Sequence, residues 1–399
     1  MVAGLAALTC PGALPAAPAT NLPPTVPLFT NVTRHGTSLV LGGLGGVSNS
    51  VFTLLSSTNP ALSWTNWTAI ATNSFDGNGR FNLTSSLSGD PSRKYYLLQI
   101  PAESDLWIPT CGALLGVAVT NADSKDLSAF ENQIGRPDDV VRIYHTPGSW
   151  TALTADELAY LSAGRKLLES VKPSSSWANA VGVANGGSAT VDSQMTSLAK
   201  SIAAVRPSKI MLIIWHEPEN DVTGSVAGAN AGTTAQYVEM WHNVRNIFDA
   251  NGATNVIWCW DVENYSPLRY LLAPLWPGNT NVDWVMWDQY QSSASDPYAN
   301  VLQNCYAWMT ANSTSTNNYL SKPWGLAEWG VGINSYVPTV AAQTNGINSL
   351  NEGLNQSSQF PKIKLVEYFD EGASALLPGA MSSYSNFANS VYMEQKCSP

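Results

Sequence analysis

Eight short apolar runs alternate with amphipathic stretches over the last three quarters of the chain. Apolar runs of this length predict buried strands, and apolar residues repeating every three to four positions predict helices packed on them. The helix candidates include residues 154–165, 193–205 and 234–252, the last ending on a glycine, as helices commonly do. The apolar runs are LLGVAVT (114–120), VVRIYHT (140–146), KLLESVKP (166–173), KIMLIIWHE (209–217), NVIWCWD (255–261), VDWVMWDQY (282–290), PWGLAEWG (323–330) and IKLVEYFD (363–370).

This repeated alternation predicts an α/β chain folded as a (β/α)8 TIM barrel over residues 109–399. The strands of such a barrel are parallel and are buried on both faces. This explains why the apolar runs do not alternate between apolar and polar residues. Active sites in this fold lie at the C-terminal ends of the strands. Polar residues that close the apolar runs are therefore the first candidates for chemistry.

The segment before the barrel has a different pattern of apolar and polar residues. Residues 23–108 contain short alternating runs separated by turn residues, which predicts a small all-β sandwich as an accessory domain. The DGNG sequence at 76–79 predicts a hairpin between the runs on either side of it. Trp64 and Trp67 leave two roles open for this domain, glycan binding or a spacer, and we favour the spacer.

The first 22 residues resemble the end of an export signal. A short apolar run is followed by Ala17-Pro18-Ala19, the small-x-small pattern that precedes signal cleavage. We interpret residues 1–22 as a signal remnant and linker, so we expect a secreted, extracellular protein. An Ala/Pro linker without a targeting role is the alternative.

Composition and charge limit the classes of molecule that the protein is expected to bind. The net charge of −10 argues against nucleic acid and anionic membranes, both of which attract basic surfaces. No stretch approaches the apolar length of a membrane span, so no membrane insertion is expected. The 15 tryptophans and 15 tyrosines suit a neutral polysaccharide or oligosaccharide, because flat rings pack on sugar faces. We expect the protein to act as a monomer.

The cysteines and histidines predict no metal site, since no CxxC pair and no metal-ligand histidine spacing occur. In a barrel the chain enters the first strand and leaves the last helix at the same face, so Cys111 and Cys397 should be neighbours and form a disulfide. Cys259 and Cys305 fall inside predicted elements, and we leave them unpaired.

Two glutamates close the fourth and seventh runs. Glu217 ends IIWHE and Glu328 lies in LAEWG, on strands that face each other across the mouth of a barrel. Hydrolysis of a glycosidic bond needs such a pair, one carboxyl protonated as general acid and the other ionised as nucleophile or base. The alternative is that both glutamates have only structural roles. Their places at two predicted strand ends would then be a coincidence.

HEPEN (216–220) and LAEWG (326–330) resemble clan A glycoside hydrolases, and the histidine before the first glutamate resembles the family 26 branch of β-mannanases, with some β-glucanases and xylanases. The resemblance implies that Glu217 is the acid/base, Glu328 the nucleophile and His216 a substrate contact. It also implies that Tyr290, in DQY, bonds the nucleophile. The family often carries an arginine shortly before the His-Glu pair, where this chain has isoleucines.

The other strand-end residues are candidates for sugar contacts. For His145 a sugar contact and a supporting role are both open, and the tryptophans could instead fill the core. The candidates are His145, Trp215, Trp260, Trp287, Asp288, Trp329 and Tyr368. Together these features predict a secreted retaining endo-β-1,4-mannanase without metal or organic cofactor. The alternatives are an endo-β-glucanase or xylanase, and a non-catalytic glycan-binding protein.

Overall fold

The structure is a computed structural model, and it separates into two compact units, residues 1–107 and 108–399. Each unit is described by itself. The residues that the structure describes are 2–7, 28–44, 51–60, 62, 67–76, 80–86, 94–99, 106–119, 124–333, 335–355 and 359–395.

The first unit contains two antiparallel sheets. One has the strand order β1-β7-β4-β5 and the other the order β2-β3-β6. Alternate side chains of the strands meet in a small apolar core that includes Leu41, Phe52, Leu54, Phe81 and Leu98. The strands are β1 Val2–Ala7, β2 Leu28–His35, β3 Ser38–Leu44, β4 Val51–Ser57, β5 Thr68–Ser74, β6 Phe81–Ser86 and β7 Tyr95–Gln99.

The hairpin predicted around DGNG is wrong. Strand β5 pairs with β4, and β6 pairs with β3, so the segment between β5 and β6 passes from one sheet to the other. Within this segment, the Asp76 amide donates to the Arg80 carbonyl at 2.8 Å. Turn residues indicate that the chain reverses direction. They do not indicate which strand pairs with which, because that depends on which apolar face each strand must bury.

Two further features of the first unit bear on the predictions. Val2–Ala7, within the segment interpreted as a signal remnant, pairs with β7, whereas Ala17-Pro18-Ala19 lies outside the described residues. Trp67 is buried against Leu55 and Leu97, and its indole nitrogen donates to the Leu62 carbonyl at 3.1 Å. Trp64 also lies outside the described residues. Trp67 therefore serves packing.

The second unit is a closed barrel of parallel strands, as predicted. The strand order is β10-β11-β12-β13-β14-β15-β8-β9, so consecutive strands are neighbours and the last pairs with the first. Every one of the eight apolar runs forms a strand. The strands are β8 Leu114–Val119, β9 Val140–His145, β10 Lys166–Val171, β11 Ile210–Ile214, β12 Val256–Val262, β13 Trp284–Gln291, β14 Trp324–Val331 and β15 Ile363–Asp370.

Helices follow the strands and cover the barrel. Capping boxes begin two of them, Thr154 with Glu157 and Thr233 with Gln236, each satisfying the first free amides of its helix. The helices are α1 Ser124–Ile134, α2 Ala155–Ser162, α3 Trp177–Ala180, α4 Ala189–Ala204, α5 Thr234–Ala250, α6 Leu272–Leu275, α7 Tyr298–Ala311, α8 Val340–Asn355 and α9 Met381–Ala388. Among the described residues, none of the helices is both long and apolar enough to cross a membrane.

Side-chain alternation divides each strand into an inner and an outer face. Arg142 and Tyr144 of β9 point into the barrel, where they contact residues of β13 and β14. Trp258 of β12 points outward and packs on Trp241 and Phe248 of α5. The inner face therefore carries Arg142 and the acids that it contacts, and much of the outer face carries an aromatic layer beneath the helices.

Candidate active site

Strained backbone presents Glu217 at the mouth of the barrel. Trp215 has φ of 63° and Glu217 has φ of 48°, both in the left-handed region. Such a conformation costs a non-glycine residue about 1–3 kcal/mol and persists where the surroundings enforce it. Here the Glu217 amide donates to the Asp261 carbonyl at 3.3 Å, and Pro218 begins a short helical turn.

Glu328 is held on β14 by three donors. The Tyr144 hydroxyl donates to Oε1 at 2.7 Å, the Tyr290 hydroxyl donates to Oε2, and the Arg142 guanidinium lies 3.4 Å from Oε1. Its side chain is 9% exposed, so these donors replace water around the carboxylate. Hydrogen bonds to charged groups are strong and directional, so these donors fix the position of the Glu328 carboxyl group.

The two glutamates are close together. A carboxylate oxygen of Glu217, one of Glu328 and one of Asp288 all lie within 4.8 Å of one another. Retaining glycosidases hold their two carboxyl groups about 5–5.5 Å apart, whereas inverting ones leave about 6.5–9.5 Å for a water molecule. The nearest oxygens of Glu217 and Glu328 are thus closer than the range of the inverting class, which favours retention.

Glu217 has an environment opposite to that of Glu328. Burial, and then the nearby Glu328 and Glu263 carboxylates, raise the pKa of Glu217 well above its usual value. Asn220 donates to its Oε2 at 3.2 Å, and the structure shows no cationic partner for it among the described residues. A raised pKa favours the protonated form of a carboxyl group, which is the form that a general acid needs.

Arg142 organises the interior below the pair. Its guanidinium is fully buried and lies 3.0 Å from Asp261 and 3.2 Å from Asp288, and it also donates to Ser170 at 3.1 Å. Burial raises the pKa of Asp261 to about 7, against the lowering effect of Arg142. One guanidinium thus pairs with several carboxyl groups, so some of these carboxyl groups are protonated rather than ionised.

His216 is a neutral imidazole beside the pair. Burial, Arg142 and Lys172 lower the pKa of His216 well below its usual value. Its ring meets the Tyr144 ring edge to face at 5.6 Å, and its buried Nδ1 atom has no hydrogen-bond partner among the described residues. A neutral imidazole can both donate and accept, which suits a sugar hydroxyl.

The structure corrects four of the predicted sugar contacts. Trp260, Trp287, Trp329 and Tyr368 are all fully buried on the outer face of the barrel. Trp260 packs on Trp276, and Trp329 packs on Tyr368 and on the rings of α9. Rings enclosed between strands and helices cannot stack on a sugar. The core-filling alternative is the correct one for them.

His145 also lies away from the pair. It alternates with Tyr144 on β9, so its ring points outward, stacks on Trp150 at 4.1 Å and contacts Glu169 at 2.9 Å. The predicted sugar contact is therefore wrong, and the contacts of His145 are with residues outside the pair. Trp215 is 3% exposed, with its indole nitrogen bonded to Asp221 at 2.6 Å and Lys172 over its ring. His216, Asp288 and Tyr290 do gather at the glutamates.

Sequence reasoning missed several residues that the fold brings to the mouth. These are Arg142, Tyr144, Asn220, Glu263 and Phe369, whose ring meets those of Tyr144 and Tyr290 edge to face at 6.2 and 6.0 Å. One signal was available in the sequence. An arginine inside an apolar strand must point toward acids, so Arg142 marks the inner face and Tyr144 shares it.

The acids at the mouth do not form a metal site. Both Glu328 oxygens accept from tyrosines, and Oδ1 of Asp288 accepts from Arg142 at 3.2 Å. A guanidinium among the ligand atoms would repel a cation. The donors suit a carboxyl pair that works on a neutral substrate.

Comparison with known proteins adds a fold relationship. No model of a known protein family matches the chain, and no curated protein matches it. Solved structures do. The GH26 domain of an endo-β-mannanase/endo-β-glucanase from Prevotella bryantii is 15% identical, with a TM-score of 0.50 over 71% of this chain and 90% of that one. A modular endo-β-1,4-mannanase from Cellulomonas fimi is 17% identical, with a TM-score of 0.51 over 70% and 71%.

A GH26 β-mannanase from Bacteroides ovatus is 14% identical, with a TM-score of 0.50 over 71% of this chain and 90% of that one. The barrel shares the fold of family 26 β-mannanases. This likeness agrees with the family that HEPEN and LAEWG resemble. At these identities it concerns the fold, so the chemistry of this chain is argued from its own side chains.

Proposed function

We propose that this chain is a retaining glycoside hydrolase that cleaves internal bonds of a neutral β-linked polysaccharide, with β-1,4-mannan as its substrate. One observation carries the proposal: Glu217 and Glu328 have oxygens within 4.8 Å of each other in opposite electrostatic settings. Hydrogen-bond donors surround Glu328, whereas burial and neighbouring acids raise the pKa of Glu217. Double displacement needs this inequality.

In the first step the Glu328 carboxylate attacks the anomeric carbon. The bond to the leaving oxygen breaks as Glu217 transfers its proton to that oxygen, which leaves a glycosyl ester on Glu328. In the second step water attacks the same carbon, Glu217 takes a proton from the water, and the ester bond breaks. The Tyr144 and Tyr290 hydroxyls hold the carboxylate of Glu328 in line for attack.

Three features support a neutral mannan. The acids at the mouth, on a chain with net charge −10, would repel a uronic acid polymer. The HEPEN and LAEWG motifs resemble those of β-mannanases. The solved structures that share the fold include endo-β-mannanases. Within this proposal His216 contacts sugar hydroxyls, whereas the predicted sugar contact of Asp288 is not kept, because its side chain is fully buried against Arg142.

We also propose that the protein is exported and acts as a monomer, on the basis of Ala17-Pro18-Ala19 and the neutral extracellular substrate. N-terminal sequencing of secreted protein should find cleavage after Ala19. Light scattering should give the mass of a single chain. An uncleaved intracellular product or a dimer would contradict these two statements and leave the chemistry intact.

The deciding experiment measures reducing-sugar release from mannan, mixed-linkage glucan, cellulose and xylan, with Glu328→Gln as the matched inactive control. We expect mannan to be cleaved fastest, with a rapid fall in viscosity and with β-anomers appearing first by proton NMR. Faster cleavage of glucan or xylan would overturn the substrate. Initial α-anomer would overturn retention, and binding without cleavage of any polymer would favour a glycan-binding protein.

A further inference from the structure

A second group of buried acids lies on the outer face of the barrel, between β9, β10 and α2. His145 Nε2 is 2.9 Å from Oε2 of Glu169 and 3.4 Å from Oε1 of Glu157. One ligand atom of each residue lies within 4.8 Å of the other two. The side chains are 11%, 0% and 1% exposed, respectively. None of the three belongs to the pair at the mouth.

Hydrogen bonds within this group leave acceptors unfilled. Oε2 of Glu157 accepts from the Thr154 amide at 2.9 Å and from the Trp150 indole at 3.2 Å, so its Oε1 is the atom that faces the group. The single Nε2 hydrogen of a neutral His145 can serve only one of the two carboxylates. Oε1 of Glu169 is buried and has no partner among the described residues.

Charge is unbalanced at the same place. Within the described part of the chain, no lysine or arginine pairs with Glu157 or Glu169. Buried carboxylates are normally paired or coordinate a metal ion. Two acids and a neutral imidazole match the charge of a divalent cation.

We propose that His145, Glu157 and Glu169 bind a divalent metal ion, with Zn²⁺ as the best match. Neighbouring ligands of a tetrahedral ion about 2.0–2.2 Å from each stand roughly 3.3–3.6 Å apart, so the 3.4 Å separation fits, and the 2.9 Å hydrogen bond between His145 and Glu169 would open slightly as the ion enters. One imidazole and two carboxylates are a common Zn²⁺ set with a fourth position open to water. Ca²⁺ would require six to eight oxygens.

The surroundings orient the three ligands. Trp150 stacks on the His145 ring with an interplanar angle of 4°, and its indole also donates to Glu157. Such contacts fix ring and carboxylate directions in metal sites. The ion would tie β9 and β10 to the start of α2. Tyr144 is next to His145 on β9, so a bound ion would also restrict the movement of the Tyr144 hydroxyl, which donates to Glu328.

The test uses the full chain, stripped with a chelator, reloaded with Zn²⁺ and desalted, with bound metal measured by plasma mass spectrometry. We expect about one equivalent per chain and a higher melting temperature. Co²⁺ in place of Zn²⁺ should give visible d–d absorption. Glu169→Gln and His145→Asn should weaken binding roughly 100-fold or more, since even residues that only support ligands are worth 10- to 100-fold.

Asp138→Asn is the matched control, because Asp138 is also a buried carboxylate with two unpartnered oxygens among the described residues. It should keep its metal. Failure of the unchanged chain to bind Zn²⁺, retention of metal by both Glu169→Gln and His145→Asn, or equal loss in Asp138→Asn would each overturn the site. The Zn²⁺-binding measurement on the unchanged chain needs no variant, so it tests the site even if a variant misfolds.

Discussion

Glu217 and Glu328 are the same residue type in opposite surroundings, and their neighbours account for the different roles that we propose for them. Glu328 receives two hydroxyl donors and lies 3.4 Å from Arg142, whereas Glu217 receives one amide donor and lies among acids. The proposed mechanism depends on this contrast. Three predictions at the residue scale test it.

The first prediction separates the roles of the two glutamates. Glu328→Gln should abolish turnover of every substrate, because no nucleophile remains. Glu217→Ala should lose polysaccharide cleavage but retain the first step on an aryl glycoside with a good leaving group, which needs little protonation. Burst kinetics with the aryl glycoside measure that step. Equal loss on both substrates in Glu217→Ala would remove its assignment as acid/base.

The second prediction concerns Tyr144, which the sequence did not single out. Tyr144→Phe removes one donor to the Glu328 carboxylate, and hydrogen bonds to charged groups are worth about 1.5–3 kcal/mol. We expect kcat/KM to fall roughly 10- to 160-fold, at about 1.36 kcal/mol per tenfold. The matched control is Tyr306→Phe, whose hydroxyl accepts from the Lys362 amide far from the mouth. Equal activity of the two variants would contradict the role.

The third prediction concerns pH. Glu217 must be protonated in the first step, so activity should be lost as the pH rises through its raised pKa. Glu263 is one of the acids that raise it. Glu263→Gln removes a negative charge, stabilises ionised Glu217 and should therefore move the alkaline limb of kcat/KM to lower pH. The exposed Glu352→Gln is the control. A shift to higher pH, or none, would contradict this electrostatic account.

At the scale of elements, the alternation of each strand decides what its residues can do. Trp329 follows Glu328 on β14, yet the glutamate faces the mouth and the tryptophan faces α7 and α9. A pleated strand requires this, because successive side chains point to opposite faces. The tryptophans of the barrel strands thus hold helices on the barrel.

The fourth prediction follows from that placement. Trp329→Ala should lower the free energy of unfolding by about 3–5 kcal/mol, the usual cost of truncating a buried tryptophan. Affinity for mannan oligosaccharides should stay within about twofold while the variant is folded. Denaturant unfolding and calorimetric titration measure the two quantities. A large loss of affinity with little loss of stability would restore Trp329 as a sugar contact.

At the scale of the whole molecule, closure of the barrel brings distant parts of the chain together. The Ala113 amide donates to the Tyr392 carbonyl at 3.2 Å, and Arg136 donates to the carbonyls of Ala388 and Met393, both at 3.0 Å. The end of the second unit is therefore tied to its beginning.

The fifth prediction is the partner of Cys111. Cys111 is disulfide-bonded, Cys259 and Cys305 are free, and Cys397 lies outside the described residues, so the pairing with Cys397 stays a prediction. It is favoured because Gln395 lies against Gly112. Mass spectrometry of the non-reduced protein should find the Cys111 and Cys397 peptides linked.

Loss of this link should also affect stability. Cys111→Ser should destabilise the chain by on the order of 4–5 kcal/mol or less, since the closed loop is long and strain lowers the entropic figure. Cys259→Ala, which removes a free buried thiol, is the control. A Cys111 peptide linked to Cys10 would contradict the pairing.

The amino-acid sequence alone predicted the barrel, and it singled out the two glutamates that we propose as the catalytic pair. Eight apolar runs of strand length, each closed by polar residues, leave few folds that could bury them, and two of those ends carry Glu217 and Glu328. The same reasoning failed at the DGNG turn, because local turn residues do not say which sheet receives the next strand.

Only the tertiary structure decided which face of each strand looks inward. Within the run WCWD, alternation separates Trp260 from Asp261 but does not say which of them enters the barrel. The paired charges of Arg142, Asp261 and Asp288 decide it, because isolated charges cannot be buried among helices. The group of His145, Glu157 and Glu169 likewise exists only once α2 packs beside β9 and β10, since contacts between distant residues are set by packing rather than by spacing.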